Sequence, residues 1–109
     1  MINVIVDRSR WLRGSEKSKL LRDDGKMCCL GFVCLKLGYT EKEIKNKNTP
    51  YELTYNDIFG DFSTYNAAKN TVYHLMKLND SIITNDVDKE IEITEIGKEI
   101  GIQFKFTGR

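Results

Sequence analysis

Two groups of residues in this 109-residue chain have the composition of a chemical site. One is the three thiols Cys28, Cys29 and Cys34 with the single histidine, His74. The other is a run of cations around the single tryptophan, Trp11. Zinc takes about four ligands in a tetrahedron, usually from Cys-x2-4-Cys pairs. The three cysteines fall on one predicted helix at spacings that place no two of them on the same face, so they cannot share an ion. No metal is expected.

A nucleophilic cysteine needs a lowered pKa, which Cys28 or Cys29 could gain near a helix N-terminus with His74 as base. The apolar run Met27-Cys28-Cys29-Leu30-Gly31-Phe32 argues for buried, inert thiols instead. His74 falls on the polar side of its helix with Asn70 and Lys77, as a solvated histidine does. No catalytic residue and no cofactor is therefore assigned, and the chain is read as a non-enzyme.

The cations are concentrated. Residues 8–22 carry Arg8, Arg10, Arg13, Lys17, Lys19 and Arg22 against one acid, Glu16, in a chain whose net charge is only +1. The remainder must be acidic, and Asp80, Asp86, Asp88, Glu90, Glu92, Glu95 and Glu99 crowd the last third. A tryptophan face among guanidinium groups suits a planar anion through stacking and charge-assisted hydrogen bonds. The same residues have a structural use. Trp11 and Leu12 would then plug the core while the arginines stay solvated or pair with the acidic third. Arg8, Arg10, Trp11, Arg13, Lys17, Lys19 and Arg22 form the expected ligand- or partner-binding set. The acids match no calcium loop and read as a solvated helix face.

The scaffold that positions these groups is one domain, residues 1–109: 40% hydrophobic residues suffice for a single core. A near-neutral charge excludes a dedicated nucleic-acid-binding domain, so no nucleic-acid partner is expected. No run approaches the ~20 apolar residues of a membrane span, and the stretch 2–6 is too short for a signal peptide. A cytoplasmic protein with reduced thiols and no membrane partner is expected.

Ile2-Asn3-Val4-Ile5-Val6 reads as a strand covered on both faces. A polar loop with turn signals at Gly14-Ser15 and Asp24-Gly25 follows. Residues 26–37, apolar all round and closed by Gly38, predict a buried helix. Thr40-Glu41-Lys42-Glu43 is a capping box opening a short helix to about Lys45. Residues 51–62 predict a packed irregular segment. Ser63 or Thr64 caps a helix with Tyr65, Ala68, Val72 and Leu75 in one stripe, broken by Asn79-Asp80. Ile82-Ile83 reads as a short strand.

Asn85, Asp86 or Asp88 then caps a last helix to about Ile100. Val87 staples onto Ile91, while Ile93, Ile96 and Ile100 face inward. Ile102, Phe104 and Phe106 alternate with Gln103 and Lys105 as a half-buried strand. The expected fold is α+β: a small sheet including the N- and C-terminal strands, packed with three or four helices.

Trp11-Leu12-Arg13-Gly14, Leu20-Leu21, Gly25-Lys26-Met27-Cys28-Cys29-Leu30-Gly31-Phe32 and Gly38 together resemble a group of small accessory proteins of tailed bacteriophages. In that group a Trp/Arg/Gly segment precedes a Met-Cys-Cys-Leu-Gly-Phe helix. Leu78-Asn79-Asp80, Glu90 and residues 101–106 resemble its closing segment, while 45–65 match nothing in it. The resemblance implies a phage protein in the host cell cytoplasm that binds and inhibits a host protein in counter-defence, without catalysis. Two rivals stay open. One is a sponge for a phosphate-bearing small molecule, such as a signalling nucleotide, held by Arg8, Arg10, Trp11, Arg13 and Lys19. The other is a small enzyme using Cys28 or Cys29 with His74. Small inhibitors and sponges are often symmetric, so a homo-oligomer is expected.

Overall fold

The computed structural model describes residues 2–13, 19–48, 66–81 and 85–108. It is an α+β domain with β1 (Ile2–Asp7), α1 (Cys29–Lys36), α2 (Glu41–Ile44), α3 (Asn66–Asp80), α4 (Asp86–Glu99) and β2 (Ile102–Thr107). The two terminal strands pair in parallel, in register from Ile2 with Ile102 to Asp7 with Thr107. A parallel pair needs a long crossover, and here everything between the strands supplies it.

The alternation of β2 follows its sequence: Ile102 and Phe104 are buried, Lys105 is exposed and Phe106 is half-buried. The two-sided covering expected for β1 is not found. Val4 and Val6 point into the core while Asn3 and Ile5 are exposed. Ile5 is 62% exposed, so a second isoleucine in the strand was no evidence of a second packed face.

Helix α1 is the buried helix, with Cys29, Leu30, Gly31, Phe32, Val33 and Cys34 all inside. It is shorter than its apolar run: Cys28 is the N-cap, not a helical residue, so the three cysteines do not all lie on the helix. Gly31 explains part of the signature around it. A Cβ there would stand 1.9 Å from the carbonyl oxygen of Leu20, so only glycine lets the 20–21 segment lie directly on the helix. After Leu37 the chain turns at Gly38, φ +104°, as a C-terminal glycine allows.

The Thr40 capping box forms as expected, Thr40 Oγ1 accepting from the Glu43 N–H and Glu43 Oε1 from the Thr40 N–H. Helix α3 ends at Asp80, at the expected Asn79-Asp80 break, and keeps Val72 and Leu75 buried. Asn85 caps α4 by accepting from the Asp88 N–H at 2.8 Å. Ile93 and Ile100 are buried inside, but Val87 and Ile91 are 68% and 56% exposed, so the expected staple closes no core there. The expectations for Lys17, Ser63, Thr64, the 51–62 segment and Ile82-Ile83 lie outside the described residues.

Candidate functional site

The basic run does not fold into one patch. Its described members go to three places, each set by the element that meets it. Arg8, just past β1, meets α4: its Nε and Nη2 donate to the two Glu90 carboxylate oxygens at 2.9 and 2.7 Å, and its Nη1 to the Gly108 carbonyl at 2.7 Å. This bidentate fork keeps the Arg8 guanidinium charged, its pKa raised chiefly by the hydrogen bonds to Glu90. It also ties the end of β1 to α4 and to the end of β2.

Trp11 is 3% exposed. Its ring packs against Phe106, centroids 4.7 Å apart, and the Arg13 guanidinium lies 4.6 Å from its centroid. A ligand has no open indole face on which to stack, because Phe106 and Arg13 occupy the surroundings of the ring. Arg13 is further held by Asp86, 3.3 Å from its Nε, while its Nη1 is buried with no acceptor among the described residues. Two basic residues thus pair with acids of α4, the structural use of the charge pattern.

Beneath Trp11 lies a residue to which the sequence pattern assigned only a helix-breaking part. Asn79 is fully buried, and its amide uses its whole hydrogen-bonding capacity. Oδ1 accepts from Trp11 Nε1 at 2.7 Å and from the Cys29 N–H at 3.0 Å. Nδ2 donates to the Leu12 carbonyl at 2.7 Å and to Asp80 Oδ1 at 3.1 Å. Cys28 offers α1 no side-chain cap, so Asn79 caps that helix from another element.

Lys89 has a similar place in α4. It is 1% exposed, its Nζ donating at 2.6 Å to the Ser81 carbonyl just beyond α3. Burial lowers its pKa, and Asp86 partly opposes that shift. The signal for both was present. Asn79 extends the Val72/Leu75 stripe and Lys89 begins the Ile93/Ile96/Ile100 stripe, so a polar residue on an apolar stripe marks a buried polar junction.

The thiols are uniformly core. Cys28, Cys29 and Cys34 are buried, and burial is the leading cause that pushes Cys29 and Cys34 far above the ordinary thiol pKa. Thiols in that state are poor nucleophiles. His74 is exposed on α3.

Among the described residues, two concave surfaces lie beside members of the basic run. The first, about 330 Å³, lies between the 22–25 turn and α2, lined by Leu21, Arg22, Asp23, Gly25, Glu41, Lys42 and Lys45. Arg10 reaches its edge, bonding the Gly25 carbonyl at 3.2 Å and standing 3.9 Å from Glu41. Lys19 contacts Asn46 Oδ1 at 3.4 Å, beyond Lys45. The second, about 290 Å³, lies between α4 and β2 and is lined by Arg8, Glu90, Ile91, Thr94, Glu95, Phe104 and Phe106. Its lining sets aromatic and aliphatic side chains, the exposed Ile91 among them, beside charged ones.

Among the described residues, no helix is long and apolar enough to cross a membrane. No protein-family model, curated protein or solved structure matches the chain.

Proposed function

We propose that this chain is a non-catalytic binding protein of the phage-accessory type, which acts in the host cytoplasm by occupying a host protein in counter-defence. The observation that carries the reading is the α4–β2 groove. The exposed Ile91 lines it, one helical turn from the still more exposed Val87, together with Phe104, Phe106, Thr94, Arg8, Glu90 and Glu95. Aromatic and aliphatic side chains set among charged ones are the composition of a protein interface, where an aliphatic or aromatic anchor fills the pocket. Asp88, Glu92 and Glu99 add exposed acids along the same helix, so the partner surface that fits is basic at its rim.

Two observations weigh against the rivals. The buried, high-pKa thiols disfavour a cysteine nucleophile. The stacking constellation of Trp11 with Arg8 and Arg13 is taken up by Phe106, Glu90 and Asp86. The test is affinity capture from a bacterial lysate with the wild-type chain and with Ile91→Asp. One protein retained in stoichiometric amount by the wild type and lost by Ile91→Asp, with unchanged melting temperature, is the expected result. Equal capture by both chains would remove the groove from the reading.

A further inference from the structure

The groove between the 22–25 turn and α2 is built from different elements than the α4–β2 groove, and it has a different chemistry. We propose that it binds a small phosphomonoester, such as a nucleoside monophosphate, with the phosphate on Lys42, Lys45 and Arg10 and the body of the ligand over Leu21 and Gly25.

Its backbone is held in place before any ligand arrives. The turn is closed by Arg22 N–H to the Lys26 carbonyl at 2.8 Å and Gly25 N–H to the Arg22 carbonyl at 2.9 Å. It is joined to the end of α2 by the Leu21–Lys45 bridge and the Asn46 N–H to the Leu21 carbonyl at 2.8 Å. Gly25, at φ +87°, presents no side chain and a Cβ there would meet nothing within 4 Å, so the wall is open to close approach. A floor of buried Leu21 beside bare backbone suits a flat or apolar moiety.

The rim cations are under-used. Lys45 stands 3.7 Å from Asp23 and Arg10 3.9 Å from Glu41, contacts too long to be hydrogen bonds. Lys42 has no carboxylate within ion-pair distance among the described residues. Exposed pairs of this kind contribute little, and both acids are well exposed and able to swing out. A phosphate presents three strong acceptor oxygens and nearly two charges. It would displace the two carboxylates and give Lys42, Lys45 and the Nη2 of Arg10 short charged hydrogen bonds, while Arg10 Nε stays on the Gly25 carbonyl. Arg22 is committed to Asp24 and serves to hold the turn.

The measurement is a two-dimensional amide NMR titration of the full chain with adenosine monophosphate, inorganic phosphate and a short single-stranded oligonucleotide. The monophosphate is expected to shift amides of residues 21–26 and 41–46 saturably. Its affinity should fall by about tenfold or more in Lys42→Ala/Lys45→Ala, each charged hydrogen bond being worth about one decade. Both lysines are exposed, so the double variant should melt with the wild type. Three results would overturn the proposal: no saturable shift with the monophosphate, shifts that survive the double substitution, or a response to the oligonucleotide alone. Loss of protein capture by Ile91→Asp would leave this titration unchanged.

Discussion

Arg8 and Arg10 are two residues apart in the same basic run, yet they belong to regions with opposite physics. Around Arg8, Trp11 and Arg13 every cation has an acidic partner on α4, and the buried indole is anchored by Asn79. Around Arg10, Arg22 and Lys45 the pairs are exposed and, apart from Arg22–Asp24, loose. The first region consumes its charge in holding the termini and α1 together; the second leaves charge on the surface. Charge density in a sequence therefore locates basic residues without saying which of them remain available, because availability depends on what the fold brings opposite.

The contrast is open to direct attack. Asn79→Ala should be the most damaging change, since it strands the Trp11 N–H, the Cys29 N–H and the Leu12 carbonyl in the interior. At about 1–3 kcal/mol for each unsatisfied buried group, with partial relaxation, a loss of about 4 kcal/mol in urea unfolding is expected. A loss under about 1 kcal/mol would break the claim that this junction organises the core. Gly31→Ala comes next, because a methyl 1.9 Å from the Leu20 carbonyl forces the 20–21 segment off α1. Overpacking on that scale costs on the order of 3 kcal/mol, again read by urea unfolding.

Glu90→Gln removes the charge that Arg8 grips, and the thermal midpoint should fall. High salt should shrink the gap between variant and wild type, as screening of a partly exposed pair requires. The loose region has a subtler signature in acid. The bond from Arg22 holds Asp24 down to about 2 from its ordinary 3.8, with help from the Lys26 N–H. A carboxylate depressed in the folded state contributes stability that is complete above pH 3.8 and lost as the pH falls through about 2. Arg22→Ala should flatten that part of the stability-against-pH curve. Smallest of all, His74→Ala on the exposed side of α3 should change stability by less than about 0.5 kcal/mol.

Much of the fold was legible in local patterns. The capping box at Thr40, the alternation of Ile102, Phe104 and Phe106, the Asn85 cap and the all-round apolar α1 each follow from interactions within a few residues, which sequence records directly. The errors share one cause. Ile5 is exposed where its sequence predicts a packed face, and Val87 and Ile91 form no core staple; each depends on what other segments place nearby. Of the candidate site, the residue types were visible but the grouping was not: Lys42 comes from α2 and Lys45 from its C-cap, outside the basic run, and the Leu21–Lys45 bridge joins them to the groove.

By itself the sequence determined an α+β domain, a buried cysteine-bearing helix and a polarised charge pattern, because hydrophobic period, caps and net charge are local or additive properties. Only the tertiary structure decided that the terminal strands run parallel, that Trp11 is core, that Arg8 and Arg13 pair with Glu90 and Asp86, and that Asn79 joins three segments. Those outcomes rest on contacts between residues as many as 100 positions apart. A pairing across that distance is selected by the whole packing arrangement, and no short window of sequence contains it.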